Sequence, residues 1–260
     1  MTAFQEIYVL NKRLKLAHTQ NGFKTWIDSV LLAASCPAKA GEHILDMGCG
    51  VGGAGLSVLR RVEGVKLTGV EIQGDHATLA TQNAQSNGFE QQCEFVTADI
   101  KDFNKGKRAC KEESRSAPAR LSDVKYDHVI CNPPYLDGGA HLRSPSQEKA
   151  TAMGHEVDAL SLQDWVDTAY YCLHPKGLFT MIHRADKLDE IISCLSPRFG
   201  AIEIFPLWPK KGVPAKRVII RAARDRKSPV ILQAGLVLHN EDGSYSNAAE
   251  KIFRDMEALF

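Results

Sequence analysis

From residue 43 onward, short apolar runs alternate with stretches of helical period, which is the signature of βαβ units on a parallel sheet. His43–Met47 reads as a first strand, and Ala54, Val58 and Val62 then share a helix face at i, i+4 and i+8. Residues 66–72 form a second strand. Ala77, Ala80 and Ala84 line the helix after it, which ends at Asn87-Gly88, a pair suited to a left-handed C-cap. Residues 93–98 and 126–131 supply the third and fourth strands. The clearest helix covers 162–173, where Leu162, Trp165, Val166, Ala169, Tyr170 and Leu173 recur at helical spacing, and Pro175 and Gly177 stop it. A fifth strand at 178–182, a helix at 188–195 and closing strands at 202–207 and 217–222 complete the rhythm. The pattern predicts an α/β fold with a seven-stranded, mostly parallel sheet and helices on both faces.

Two flanks lie outside that rhythm. Trp26, Ile27, Val30, Leu31 and Ala34 fall at helical spacing, as do the apolar residues of a tail ending in Ile252, Phe253, Met256, Leu259 and Phe260. Residues 231–239 look like strand, followed by an Asp242-Gly243 hairpin signal. Residues 104–123 are polar, of mixed charge and without apolar period, so they read as a loop or mobile insertion. The chain therefore divides into an N-terminal extension (1–40) packing on a core (41–224), and a C-terminal strand and helix extension (225–260). A length of 260 residues suits one large domain.

Composition narrows the class mainly by exclusion. Hydrophobic residues make up 44% and charged residues 24%, so disordered, collagen-like and coiled-coil chains drop out. No apolar run approaches the ~20 residues needed to span a bilayer, and the N-terminus lacks a secretory h-region, which predicts a cytoplasmic protein without membrane attachment. The seven cysteines contain no C-x-x-C and the nine histidines no H-E-x-x-H, so no disulfide framework and no metal are expected. With 32 basic against 31 acidic residues, the net charge of +1 gives no whole-chain argument for a nucleic-acid partner.

Chemistry enters at Asp46-Met-Gly-Cys-Gly-Val-Gly-Gly, where the first strand meets its helix. Glycines let a backbone pass close beneath a ligand, and the amides at a helix N-terminus favour a carboxylate or phosphate. Gly48, Gly50 and Gly53 satisfy G-x-G-x-x-G, and Glu71 closing strand two suits a ribose in either a nicotinamide or an S-adenosylmethionine site. Asp46 tilts that choice. An acid just before the glycines repels a pyrophosphate but suits the α-ammonium of S-adenosylmethionine. Asp99, closing strand three, is placed for the adenine amino group.

Asn132-Pro133-Pro134-Tyr135 follows strand four, and its two prolines end strand pairing and stiffen the loop. An exocyclic amine is a weak nucleophile because its lone pair is delocalised into the ring. If the Asn132 side-chain carbonyl and the Pro133 backbone carbonyl accept its hydrogens, that lone pair is directed at a sulfonium methyl, with Tyr135 stacking on the base. A nicotinamide-dependent dehydrogenase is the rival of another class, and Asp46 and the Asn-Pro-Pro-Tyr loop argue against it.

These residues together resemble the S-adenosylmethionine-dependent Rossmann-fold N-methyltransferases with an N-P-P-Y signature. Residues 20–33 and 236–246 extend the resemblance to the bacterial tRNA(Val) adenine-N6 methyltransferase family, over nearly the whole chain. The resemblance implies a class I methyltransferase fold and an RNA substrate, most naturally a tRNA adenine N6. It implies a cofactor site of Asp28, Asp46, Gly48, Cys49, Gly50, Glu71, Ile72, Asp99, Ile100 and Asn132, and a target-amine site of Asn132, Pro133, Pro134 and Tyr135. Ser29 would lie beside the cofactor with Asp28. The insertion at 104–123 and the stretch at 207–217 depart from the family pattern, and the same chemistry also serves a protein glutamine or a small heteroaromatic amine.

Local charge supports a polyanionic substrate. Residues 203–227 carry Lys210, Lys211, Lys216, Arg217, Arg221, Arg224, Arg226 and Lys227 against Glu203 and Asp225, a local excess of six, and Lys12, Arg13, Lys15 and Lys24 add a basic N-terminal stretch. Residues 136–158 read as a mobile loop over the target pocket, with Arg143, Lys149 and His155 as candidate substrate contacts.

Overall fold

The computed structural model of the protein describes residues 4–19, 26–101, 124–134 and 160–260. The expected insertion at 104–123, Tyr135 and the loop at 136–158 lie outside them. Strands β1 (Phe4–Val9) and β2 (Leu14–Thr19) form an antiparallel hairpin, and α1 (Trp26–Ser35) follows. The core then runs β3 (His43–Met47), α2 (Gly53–Arg61), β4 (Lys66–Glu71), α3 (Gly74–Ser86), β5 (Cys93–Thr97) and β6 (Tyr126–Cys131). Its second half is α4 (Leu162–Cys172), β7 (Leu173–Arg184), α5 (Leu188–Leu195), β8 (Phe199–Trp208) and β9 (Arg217–Arg224). Two-residue strands β10 (Ile231–Leu232) and β11 (Leu236–Val237) and helix α6 (Asn247–Asp255) close the chain.

All seven expected core strands join one sheet, in the order β8-β9-β7-β6-β3-β4-β5, and β10 and β11 add to the free side of β8. Only β9 runs antiparallel to its neighbours, so β3, β4, β6, β7 and β8 all end at the same edge of the sheet. The order reverses direction between β3 and β6, and the crevice outside the carboxyl ends of strands at such a switch point is where α/β sheets take ligands.

Each face of the sheet carries its own apolar cluster. Leu31, Leu32, Leu56, Val58 and Ile252 belong to the one that gathers α1, α2, α6 and the hairpin, whereas Trp165, Val166, Ile191 and Leu195 carry α4 and α5 on the other. Helix α4 begins with a capping box, in which Ser161 accepts from the Asp164 N–H and Asp164 returns a bond to the Ser161 N–H, at 3.2 and 2.9 Å. The 231–239 region is shorter strand than expected. It breaks at Gly235, whose φ of +82° only glycine adopts freely.

In the N-terminal extension the expected helix is present as α1, and a hairpin that the pattern did not predict precedes it. The hairpin is turned by Leu10, Asn11 and Lys12, all at positive φ, with Leu14, Leu16 and His18 alternating inward. Asn83 of α3 and Asn87, which caps the C-terminus of α3, hold the hairpin. Asn83 accepts from the Ala17 N–H at 2.7 Å and donates to the Ala17 carbonyl at 3.0 Å, while Asn87 does the same to Lys15 at 3.1 and 2.7 Å. Each amide thus pairs with one residue of β2 as a neighbouring strand would. No helix among the described residues is long and apolar enough to cross a membrane.

Candidate functional site

The glycine turn leaves the end of β3 and bends back under α2. Gly48 and Cys49 both donate to the Val70 carbonyl, at 2.8 and 3.0 Å, and Gly52 donates to the Cys49 carbonyl at 2.9 Å. Gly48, Gly50 and Gly52 all have positive φ, so the turn requires residues without a Cβ clash. The surroundings assign them different work. A Cβ on Gly48 would fall 2.7 Å from the Trp165 ring, so Gly48 lets α4 close on the turn from behind. A Cβ on Gly50 would meet no atom within 4 Å. That open space, over backbone with no side chain, is where a ligand can lie against the turn.

Three acids stand at the carboxyl ends of β3, β4 and β5. Asp46 is 2% exposed, and its Oδ2 accepts from the Gly55 N–H, in the first turn of α2, at 2.9 Å. Burial, with Glu71 adding to it, pushes the Asp46 carboxyl up to about 7. Glu71 is buried at the end of β4, where its two oxygens accept from the Gly50 and Gln73 N–H groups, each at 2.9 Å. Each oxygen keeps a second lone pair for a ribose hydroxyl. Asp99 accepts from the Lys101 N–H at 2.9 Å. Between Glu71 and the next turn stands Ile72, 46% exposed, an apolar surface of the kind a purine ring covers.

This set fits S-adenosylmethionine: bare backbone at Gly50, a paired-acid environment that a cation would relieve, and a carboxylate beside an exposed aliphatic residue. Cys49 is buried and its thiol is held well above its ordinary range by desolvation, so it stays a neutral wall of the turn. Ile100 is packed in the core with Leu45, Met47 and Val70, which occupies its side chain.

The structure separates the two α1 residues. Ser29 and Trp26 pack on Gly53, at the mouth of α2, so α1 does border the glycine turn. Asp28 instead is buried and pairs with Arg217 at the start of β9, Nε to Oδ2 at 3.2 Å. Asn132 follows β6 directly, half-buried, with Pro133 buried and Pro134 exposed. Because β6 pairs with β3, Met47 opposite Cys131, Asn132 and Gly48 leave adjacent strands side by side.

Sequence reasoning missed two supports. Trp165 backs Gly48, although its helical spacing marks it only as core. Asn83 also donates to the Val51 carbonyl at 2.9 Å, tying the glycine turn to the hairpin, and an asparagine within a helix carries no signal for that.

The fold is Rossmann-like and the site fits S-adenosylmethionine, and residues 24–148 match the family model of the methyltransferase small domain. The chain is 24% identical over 247 residues to the tRNA1(Val) (adenine(37)-N6)-methyltransferase of Photorhabdus laumondii, covering 94% of this chain and 92% of that one. It is 25% identical over 253 residues to the enzyme of the same name from Dickeya chrysanthemi, covering 94% and 91%. Among solved structures, a predicted O-methyltransferase from Agrobacterium tumefaciens superposes with a TM-score of 0.68 at 24% identity, over 90% of this chain and 98% of that one. An S-adenosylmethionine-dependent O-methyltransferase from Thermotoga maritima gives 0.53 at 19% identity, over 81% and 69%, and both likenesses speak to the fold. The dehydrogenase reading of the glycine motif falls away.

Proposed function

We propose that this enzyme transfers the methyl of S-adenosylmethionine to the exocyclic N6 of an adenine in tRNA. The observation that carries the reading is the placement of Asn132-Pro133-Pro134 at the end of β6, beside the glycine turn that leaves β3. The relatives that match over nine-tenths of the chain carry names stating tRNA1(Val) and adenine 37.

The cofactor supplies an electrophilic methyl on a sulfonium. The chain's own residues do the rest. Glu71 would seat the ribose, Asp46 with the Gly48 and Gly50 backbone would hold the methionine end over a negative potential, and Asn132 with the Pro133 carbonyl would hold the two amine hydrogens so that the nitrogen lone pair faces the methyl. S-adenosylmethionine held there would give its methyl carbon to that nitrogen and would leave as the thioether. The amine becomes acidic as it is alkylated and gives its proton to water, so no strong base is required.

The test is methylation of total tRNA with labelled cofactor, followed by nucleoside identification. The expected product is N6-methyladenosine. Asn132→Ala should keep cofactor affinity within about twofold in calorimetry and lower transfer about a hundredfold or more. Label appearing on a protein or a small amine instead, or wild-type protein that binds no S-adenosylmethionine, would overturn the reading.

A further inference from the structure

The connection between β8 and β9 hangs from the same sheet edge as Asn132, because β8 runs parallel to β6 and β7. Three strand spacings separate the ends of β6 and β8, about 14 Å. The connection folds over on itself at Lys210–Val213, where the Val213 N–H donates to the Lys210 carbonyl at 3.2 Å and Gly212 takes a φ of +76°. Beneath it lies an open groove of about 480 Å³, lined by Trp208, Lys210, Lys211, Val213, Pro214 and Val237.

The aromatic wall of this groove is fixed in place. The Trp208 indole N–H donates to the Ala234 carbonyl at 3.2 Å, and Gly235 passes so close that a Cβ there would fall 2.7 Å from Nε1. The rest of the apolar lining is at the surface: Val213 is 38% exposed and Pro214 is exposed. The charges are of one sign. Lys211, in the lining, and Lys216, two residues beyond it in the chain, are exposed and pair with no carboxylate among the described residues, and Lys210 donates to the Glu241 backbone carbonyl at 2.9 Å. The Asp242 carboxyl is held low chiefly by Ser244 and in smaller part by Lys210. A flat aromatic wall, an aliphatic floor and unpaired lysines on the rim match a nucleotide, which presents a ring to stack and a phosphate to neutralise.

We propose that this groove holds a nucleotide of the RNA strand that carries the target adenine, its base against Trp208 and its phosphates on Lys211 and Lys216. The inference rests on the tRNA reading above and says where the strand runs: from Asn132 along the sheet edge, across the ends of β7 and β9, to β8. A nucleotide gripped there positions the strand without touching the reacting amine.

The experiment uses the full chain, total tRNA as the probe and two variants, Lys211→Ala/Lys216→Ala and Trp208→Ala, with Trp208→Phe as the conservative control. The lysine pair should weaken tRNA binding about tenfold near 0.1 M salt and flatten the plot of log Kd against log salt by about 0.7–0.9 per lysine. Trp208→Ala should weaken binding about tenfold with the slope unchanged, and Trp208→Phe should recover most of the loss. Cofactor affinity should stay at the wild-type value in all three. If wild-type protein methylates tRNA and the lysine pair matches its affinity and slope, the groove assignment is wrong. If wild-type protein methylates no tRNA, the functional reading itself fails.

Discussion

A carboxylate that is 2% exposed, with a second acid nearby, is expensive to ionise, and the single backbone N–H on Oδ2 offsets only part of that cost, which is why Asp46 is pushed up to about 7 from its ordinary 3.8. Between those two values the folded chain binds a proton that the unfolded chain has released. Its contribution to stability therefore falls as pH rises through that window and levels off above about 7, a total on the order of 4 kcal/mol. Asp46→Asn keeps an acceptor for the Gly55 N–H but leaves a buried amide N–H₂ unpaired, which returns about 1–3 kcal/mol of the gain. The variant should thus be more stable than wild type by about 1–3 kcal/mol at pH 8, and no more stable at pH 4, in urea melts at the two values. A cationic cofactor should reverse the preference. Binding draws the Asp46 pKa down, so wild-type affinity should rise with pH up to about 7 and binding near pH 6 should release a proton, read as a dependence of calorimetric heat on the buffer's ionisation enthalpy. Asp46→Asn should bind at least tenfold more weakly and lose that proton. A variant that binds as tightly as wild type removes Asp46 from the site.

At the scale of elements, the hairpin is an addition that the sheet does not need for its own pairing, and Asn83 ties it by hydrogen bonds to the glycine turn. Asn83 is buried and holds both backbone groups of Ala17 and the Val51 carbonyl. Asn83→Ala leaves these three partly buried groups without their partner and should cost about 1–3 kcal/mol, with faster amide exchange in β2 and in the glycine turn together. Faster exchange confined to β2 would show that the turn stands independently. The core elements were legible in the sequence because their periods are strong: β3, β6 and α5 fall on their predicted residues, and α4 ends one residue short. The hairpin was not. Its turn, Leu10-Asn11-Lys12-Arg13, lacks the Asn-Gly type of signal, and only one face of β2 is apolar over six residues. Strand β7 begins five residues early, because the chain pairs Leu173 with Tyr126 and then bulges at Pro175–Gly177 before resuming at Leu178. A period cannot show that. The glycine turn, Glu71 and Asn132 were legible as residue types at strand ends, whereas the pairing of Asp28 with Arg217, 189 positions away, depends on tertiary packing that no local pattern encodes.

Over the whole molecule, the basic run that sequence alone presents as one patch is divided by the fold. Strand β9 starts at the cofactor edge with Arg217 and ends at the opposite edge with Arg224, eight residues and about 26 Å later. Its interior cations are already engaged: Arg221 pairs with Glu203 at 2.7 Å, and Arg224 stacks on Tyr170 while reaching Asp225 at 3.1 Å. Lys15 of the N-terminal stretch pairs with Glu6 at 2.7 Å. The run therefore leaves Lys210, Lys211 and Lys216 beside the site and Arg226 and Lys227 far from it. A strand of RNA threaded past Asn132 meets only the first group, whereas diffuse attraction to the whole basic surface would draw on both. The two pictures separate cleanly in salt titrations of tRNA binding. Arg226→Ala/Lys227→Ala removes as many charges as the lysine pair of the groove and, in the threaded picture, should leave the affinity within about twofold of wild type and the salt slope within its error. A slope reduced as much as by Lys211→Ala/Lys216→Ala would mean that the RNA wraps both edges of the sheet, and the path along the carboxyl ends of the strands would have to be abandoned.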